Sequence, residues 1–268
     1  MPTFTTSDHV QLSYTDEGSG PLVVLIAGYC APATSWALTQ DALVDAGYRV
    51  VAWDRRSHGE SETTLFGQRM SRHGKDLDDL LTHLVVDDVT LVGGSMGGST
   101  IWAYLDDFGT SRVRSIVTLD QTPTMLNTDD WPYGFYGYTP DNAGTYFAFG
   151  VPDTGRGQRI EESMAGVRQL AERLGGMPAM RNPTAPETIH LLQDHANQDW
   201  RDVIARIDVP FLMLAARESQ LWPAEHAQAA LAGNPMGRAI MVDDIGHAMN
   251  FERPDLVNRL ILEFLRAD

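Results

Sequence analysis

Hydrophobic positions form short continuous runs in six places along the chain. These runs span residues 22–27, 49–53, 89–92, 115–119, 210–215 and 239–242. Continuous apolar stretches of this length are typical of strands that are buried on both faces of a sheet. Around Phe4 and over residues 10–14, apolar and polar residues alternate instead, which predicts an opening β-hairpin.

Stretches with helical spacing lie between most of the buried runs, most clearly over residues 36–46, 70–84 and 100–108. Alternation of strands and helices predicts parallel strands that are joined by right-handed crossovers. The predicted fold class is therefore α/β, with a doubly wound, mostly parallel sheet. Ligands of such sheets bind beyond the carboxyl ends of the strands.

The alternation of strands and helices breaks between residues 123 and 208, where aromatic residues crowd together before several helical segments. We expect a helical cap over residues 123–208, inserted into a core made of residues 1–122 and 209–268. An insertion between two strand ends lies over the active face, so Trp131, Tyr133, Phe135 and Tyr136 are predicted to contact the substrate. The alternative is that these rings only form a second layer of core.

Composition narrows the classes of function. The 268 residues are 43% hydrophobic, enough for one large core, and the formal net charge is −16. This charge, without any dense run of Lys or Arg, argues against nucleic-acid or membrane partners. Cys30 is the single cysteine, so no intramolecular disulfide forms. With no signal-peptide pattern or membrane-spanning run in the sequence, we expect a cytoplasmic enzyme. The oligomeric state is left open.

The run at residues 89–92 ends at the glycine-rich sequence Gly-Gly-Ser-Met-Gly-Gly, residues 93–98. In a G-x-S-x-G nucleophile elbow, the serine occupies a strained turn between a strand and a helix, and its hydroxyl stands at the top of the sheet. An ordinary glycine-rich turn is the alternative. Because a strand precedes the motif and a helix follows it, we interpret the motif as an elbow with Ser95 exposed.

A serine hydroxyl is a weak nucleophile unless a base removes its proton and a third group orients that base. His247 follows the last predicted strand and is the candidate base. The remaining histidines are expected to be solvated or packing residues, and their spacing suggests no metal site. They are His9, His58, His73, His83, His190, His195 and His226.

The acid that orients His247 has two candidates. Glu218 follows the strand before the last, whereas Asp120 ends the strand after the elbow helix and is favoured. The backbone N–H groups of Tyr29 and Met96 are candidates for an oxyanion hole. Cys30 is interpreted as a packed thiol, since no basic residue adjoins it.

Four motifs in order resemble the α/β-hydrolase superfamily over nearly the whole chain. They are Gly28-Tyr29, Asp-Arg-Arg-Ser-His-Gly-Glu-Ser at residues 54–61, the elbow at residues 93–97, and Gly246-His247. The resemblance implies the α/β-hydrolase fold. It does not settle the reaction, because this fold hosts many activities. A dehalogenase is disfavoured, since its nucleophile would be an aspartate.

Two departures from the usual hydrolase pattern look like the cofactor-independent 3-hydroxy-4(1H)-quinolone 2,4-dioxygenases. These are the loop Gly28-Tyr29-Cys30 and the carboxylate at Asp120. Those enzymes also carry an elbow serine and a late histidine, which Ser95 and His247 match. They tend to have a histidine directly after the serine, where this chain has Met96.

The favoured hypothesis is a dioxygenase that cleaves the ring of a 2-alkyl-3-hydroxy-4(1H)-quinolone. The resemblance implies that His247, oriented by Asp120, removes the 3-hydroxyl proton and that the anion then reacts with dioxygen, releasing carbon monoxide. It implies no metal, flavin or other cofactor. The alternative is a serine carboxylesterase or lactonase with a Ser95–His247–Asp120 triad. A perhydrolase-like activity and a non-catalytic binding module rank behind both. Each hypothesis involves a small apolar or aromatic ligand.

Overall fold

One eight-stranded sheet organises the molecule in the computed structural model, which describes residues 1–157 and 164–267. The strands in these residues are β1 (Thr3–Thr5), β2 (Gln11–Glu17), β3 (Leu22–Ile26), β4 (Arg49–Trp53), β5 (Val89–Gly94), β6 (Val113–Leu119), β7 (Phe211–Ala216) and β8 (Gly237–Val242). Their order is β1-β2-β4-β3-β5-β6-β7-β8. β2 pairs antiparallel with β1 and β4, and the other pairs are parallel. The predicted α/β-hydrolase fold is confirmed.

Helices connect the parallel strands and cover both faces of the sheet. A short 3-10 helix (Ala33–Trp36) leads into α1 (Ala37–Asp45), and the others are α2 (Met70–His83), α3 (Met96–Phe108), α4 (Met164–Leu174), α5 (Pro186–Ala196), α6 (Arg201–Ala205), α7 (His226–Ala230), α8 (Met249–Glu252) and α9 (Pro254–Ala267). α3 begins four residues earlier than the apolar spacing predicted, because it starts directly after the elbow serine.

The helices lie on the sheet through apolar stripes. In α9, Val257, Ile261 and Phe264 recur at helical spacing and are buried on one face with residues of α1. α2 and α3 contact each other on the opposite face and bury Leu77, Leu80 and Trp102 there. Buried residues of the central strands face both layers, which explains their uninterrupted apolar sequences.

The strand order reverses direction at β3, since β4 lies on one side of it and β5 on the other. At such a switch point, the loops that follow the two neighbouring strands diverge to opposite faces and leave a crevice. Here those loops are the segment after β3, which begins at Ala27, and the elbow after β5. The topology therefore puts Tyr29 and Ser95 at the edge of one crevice.

Helices α4, α5 and α6 lie in the long connection between β6 and β7. The division of the chain into a core (residues 1–122 and 209–268) and a cap (residues 123–208) remains a proposal. Residues 158–163 of that range, and residue 268 of the core range, lie outside the described residues. None of the described helices combines the length and apolar character that crossing a bilayer requires.

Candidate active site

Ser95 occupies a left-handed turn between β5 and α3, with φ 51° and ψ −129°. This conformation is strained for a residue with a side chain, and it persists because the surrounding structure holds it. The Ser95 N–H donates to the Leu119 carbonyl oxygen at 2.8 Å, and the Ser95 carbonyl accepts from the Gly98 N–H at 2.8 Å. The turn lifts the Ser95 hydroxyl to the carboxyl edge of the sheet.

Close packing explains the glycines around Ser95. A Cβ atom at Gly97 would overlap the Ile26 carbonyl oxygen at the end of β3, and one at Gly93 would collide with the Gly97 backbone. A Cβ at Gly28 would lie 3.2 Å from the Ser95 Cβ. The elbow and the loop after β3 therefore approach each other more closely than side chains would permit.

His247 lies in the loop after β8, and its Nε2 is 2.9 Å from the Ser95 Oγ. Its backbone N–H donates to the Gln220 side-chain oxygen at 2.9 Å. The Glu252 carboxylate accepts from the backbone N–H groups of the residues on both sides of His247, at 2.8 and 3.2 Å. These bonds hold the loop so that the imidazole faces the serine.

Asp120 is the carboxylate that contacts His247, at 2.7 Å between its Oδ2 and the imidazole Nδ1. It follows β6 in a left-handed conformation with φ 43°. The Ala216 N–H donates to Oδ1 at 2.9 Å, and the Ser219 hydroxyl donates to Oδ2 at 2.7 Å. Burial acts to raise the pKa of Asp120, but the two facing imidazoles of His226 and His247 outweigh it, and the pKa lies below its usual value.

Glu218, the second candidate acid, does not reach His247. Its side chain is exposed, and its backbone N–H donates to the Ile245 carbonyl oxygen at 3.0 Å. The neighbouring Ser219 points inward to Asp120 instead. The structure thus brings Ser95, His247 and Asp120 into one chain of hydrogen bonds and leaves Glu218 outside it.

The two predicted oxyanion-hole residues lie on either side of the elbow: Tyr29 is in the loop after β3, and Met96 directly follows Ser95. Neither backbone N–H donates to an acceptor within residues 1–157 and 164–267. Met96 is the first residue of α3, where N–H groups have no partner inside the helix. The Tyr29 hydroxyl donates to the Pro183 carbonyl at 2.6 Å, which ties the loop after β3 to the segment before α5. Cys30 is buried, and burial raises the pKa of its thiol to about 11, so the thiol stays protonated.

A cavity of about 390 Å³ opens above Ser95 and His247. Its apolar walls come from Trp36, Leu119, Val151, Met177, Met180 and Phe251. Within the described residues no Asp, Glu, Lys or Arg side chain lines it. The cavity suits a small, uncharged, mainly apolar ligand.

Four aromatic residues that were predicted to contact the substrate lie outside the cavity wall. Trp131, Tyr133, Phe135 and Tyr136 are absent from the cavity wall among the described residues. Phe135 is fully buried and forms edge contacts with Phe147 and other rings of its own segment. The aromatic cluster is therefore mostly core, because packing the rings against each other removes more of their surface from water than a pocket wall would.

Buried histidines surround Arg55, a buried charged residue beside the site. The Arg55 guanidinium contacts His58 Nε2 at 3.1 Å and His73 Nδ1 at 3.4 Å. Burial, followed by the charge of Arg55, lowers the pKa of His195 to about 3. The same two causes hold the pKa values of His58 and His73 well below their usual range. All three histidines are neutral at pH 7.

Protonation of these histidines on acidification should unfold the protein. His195 takes up a proton near pH 6.5 in the unfolded chain but only near pH 3 in the folded protein. The contribution of neutral His195 to the free energy of unfolding is therefore fully present above pH 6.5 and is lost as the pH falls from 6.5 towards 3. We expect His195→Leu to reduce the slope of unfolding free energy between pH 6 and 4 by about 1.4 kcal/mol per pH unit. Urea unfolding at several pH values measures this slope. The control is His190→Asn, because His190 lies on the same helix and is exposed. An unchanged slope in His195→Leu would contradict the prediction.

Comparison of the chain with known proteins identifies its family. A model of the alpha/beta hydrolase fold matches residues 21–254. The chain belongs to the alpha/beta hydrolase family. It is 33% identical to the non-heme chloroperoxidase CPO-A1 of Kitasatospora aureofaciens, over 99% of both chains. It is 25% identical to the bifunctional esterase/perhydrolase DCH of Acinetobacter calcoaceticus, over 98% of this chain and 99% of that one. The bromoperoxidase structure from Bacillus anthracis shares the fold, with TM-score 0.80 and 24% identity over 99% of this chain and 100% of that one.

These relatives overturn the expected quinolone dioxygenase. Relatives that match nearly the whole chain include a chloroperoxidase and an esterase/perhydrolase. The resemblance to dioxygenases was built on a short loop and on the position of one carboxylate, and both features also fit a serine enzyme. The expected dioxygenase reaction is therefore wrong.

Sequence reasoning missed several residues that support the site. Ser219 and Glu252 hold Asp120 and the His247 loop through hydrogen bonds, and nothing in their local sequence marks them. His226 was interpreted as an ordinary packing or solvated histidine, yet its Nε2 lies 3.7 Å from Asp120 Oδ1 with both side chains fully buried. The wall residues Met177 and Met180 carried no recognisable signal. The described residues contain no cluster of three metal-ligating side chains.

Proposed function

We propose that this alpha/beta hydrolase is a serine esterase that cleaves small, apolar carboxylic esters or lactones. The observation that carries the proposal is the continuous contact from Ser95 Oγ to His247 Nε2 at 2.9 Å and from His247 Nδ1 to Asp120 Oδ2 at 2.7 Å. A nucleophile, a base and an orienting acid in hydrogen-bond contact form the arrangement that acyl transfer requires. A relative named as a bifunctional esterase/perhydrolase supports an acyl-transfer reaction.

The first step forms an acyl-enzyme. His247 Nε2 accepts the Ser95 proton while Oγ attacks the ester carbonyl carbon, and Asp120 stabilises the imidazolium through Nδ1–H. The tetrahedral oxyanion lies between the backbone N–H groups of Tyr29 and Met96. His247 then donates its proton to the departing alkoxide, which leaves as an alcohol.

The second step returns the enzyme to its starting state. His247 removes a proton from a water molecule, whose oxygen attacks the acyl carbon, and Ser95 Oγ leaves with the proton from the imidazolium. The carboxylic acid is released. The apolar wall of Trp36, Met177 and Met180 accommodates the acyl group and excludes other water.

The esterase/perhydrolase relative favours a second candidate activity at the same site. If hydrogen peroxide replaces water in the second step, its oxygen attacks the acyl carbon and a peracid leaves with Ser95 restored. A relative named as both esterase and perhydrolase supports this transfer. Both activities pass through one acyl-enzyme on Ser95.

A covalent label tests the proposed function. We expect the protein to hydrolyse p-nitrophenyl butyrate and to lose that activity in proportion to labelling by a fluorophosphonate, which mimics the tetrahedral intermediate. Mass spectrometry should place one label per chain on Ser95. Heat-unfolded protein is the control for unspecific labelling. Hydrolysis that persists after complete labelling, or a label on another residue, would refute a serine esterase.

A further inference from the structure

Arg55 is a buried arginine directly behind the loop that follows β3. Its side chain is almost completely buried, and its Nη2 donates to the Gly28 carbonyl oxygen at 2.7 Å. No ion pair joins it to a carboxylate of the described residues within 4.0 Å. Asp76, whose charge acts on Arg55, is itself bound by Arg56 and Arg72. A buried cation without an anionic partner is costly.

The Gly28 carbonyl belongs to the same peptide group as the Tyr29 N–H. In a trans peptide the C=O and N–H bonds point in opposite directions, and the chain has no cis peptide among its described residues. With Arg55 on the carbonyl side, the Tyr29 N–H points away from the guanidinium. The Gly28–Tyr29 loop also approaches the Ser95 Cβ closely.

We propose that Arg55 is a positioning residue for the oxyanion hole, and that it orients and polarises the Gly28–Tyr29 peptide so that the Tyr29 N–H binds the developing oxyanion. This inference rests on the proposed esterase function. The charge-assisted bond to the carbonyl draws electron density from the amide and makes its N–H a stronger donor. The charge of the oxyanion, when it forms, is the missing counter-charge of Arg55.

The surroundings of Arg55 keep it charged and fixed. Burial lowers its pKa only to about 10, so the guanidinium is protonated at neutral pH. His58 Nε2, at 3.1 Å, accepts from the same Nη2, while His58 Nδ1 is 2.8 Å from the Arg56 carbonyl oxygen. His73 contacts the Nη1 on the other side at 3.4 Å. Neutral imidazoles hold the cation in place without cancelling its charge.

The role predicts a specific pattern of kinetic change. Arg55→Met keeps much of the side-chain volume and removes the charge. We expect kcat for p-nitrophenyl butyrate to fall about 30-fold with KM within twofold, since one oxyanion donor is weakened and not lost. The affinity for an alkylboronic acid, which forms an anionic tetrahedral adduct on Ser95, should fall by a similar factor. Arg55→Lys retains a positive charge and should lose no more than about fivefold.

The control variant is Arg112→Met, which removes an arginine whose Nε donates to the Val86 carbonyl oxygen at 2.8 Å, near the amino ends of β5 and β6 and away from the site. It should keep kcat within about threefold. Circular dichroism and thermal melting establish that each variant is folded. If Arg55→Met does not fold, Arg55→Gln, which also lacks the charge, takes its place, and a kcat loss without an equal loss of boronate affinity overturns the proposal. Unchanged boronate affinity in folded Arg55→Met overturns it as well.

Boronate binding and ester turnover separate this inference from the proposed function. If the parent hydrolyses esters while Arg55 does not affect boronate binding, the esterase stands and the role of Arg55 is wrong. If the parent hydrolyses no ester but binds boronate in an Arg55-dependent way, the role of Arg55 stands and the proposed reaction is wrong.

Discussion

Replacing Ser95 with alanine should reduce kcat for ester hydrolysis by roughly 10⁵-fold, the scale of losing a nucleophile that acts as a unit with its base. The methyl group of alanine cannot form the acyl-enzyme, which is needed whether water or hydrogen peroxide accepts the acyl group. Peracid formation from an ester and hydrogen peroxide should therefore disappear together with hydrolysis. The measurement is a steady-state assay with and without peroxide on the purified variant.

Ser99→Ala is the matched control for this substitution. Ser99 lies in α3, is fully buried, and its hydroxyl has no hydrogen-bond partner among the described residues. We expect its kcat to stay within about threefold of the parent. Should Ser95→Ala keep more than about a tenth of the parent activity after contaminating esterases are excluded, the acyl-enzyme mechanism is wrong.

Asp120→Asn should reduce kcat by roughly 10³- to 10⁴-fold, because an amide cannot hold His247 in the tautomer that presents Nε2 as an acceptor to Ser95. The variant should remain folded, since the side-chain amide oxygen of Asn at position 120 can still accept one of the hydrogen bonds that Asp120 accepts. The assay is hydrolysis of p-nitrophenyl butyrate, accompanied by a thermal melt of the variant.

A double substitution makes the Asp120 prediction sharper. Ser219 Oγ already lies 2.7 Å from the Asp120 oxygen that contacts His247, so a carboxylate at position 219 starts from the correct side of the imidazole. Asp120→Asn combined with Ser219→Asp should recover at least about tenfold of the lost kcat. Glu218→Gln, on an exposed side chain, is the control and should leave kcat within about twofold. A large loss in Glu218→Gln with none in Asp120→Asn would reverse the assignment.

The local sequence was informative wherever a backbone constraint left a residue signature. The six buried runs predicted the parallel strands, because strands covered on both faces have no polar side. The elbow was visible because its tight turn excludes side chains at Gly93 and Gly97. These constraints act within a few residues, and a short window of sequence displays them.

The aromatic residues show where such reasoning stops. Phe135 and Tyr136 were predicted to contact the substrate because they precede helices over the active face. The structure uses Phe135 as core and takes the cavity wall from Met177, Met180 and other distant residues. Apolar composition is the same for a core residue and for a pocket wall, so composition could not separate them.

The amino-acid sequence was sufficient for the α/β fold and for the positions of Ser95 and His247, because both depend on local turns at strand ends. It left Asp120 and Glu218 as alternatives and gave no indication of Arg55 or Ser219. Those distinctions depend on which side chains, up to 127 positions apart as in Asp120 and His247, meet inside the folded molecule. Distances and burial across the sheet are set by the packing of the whole chain, and no short segment carries that information.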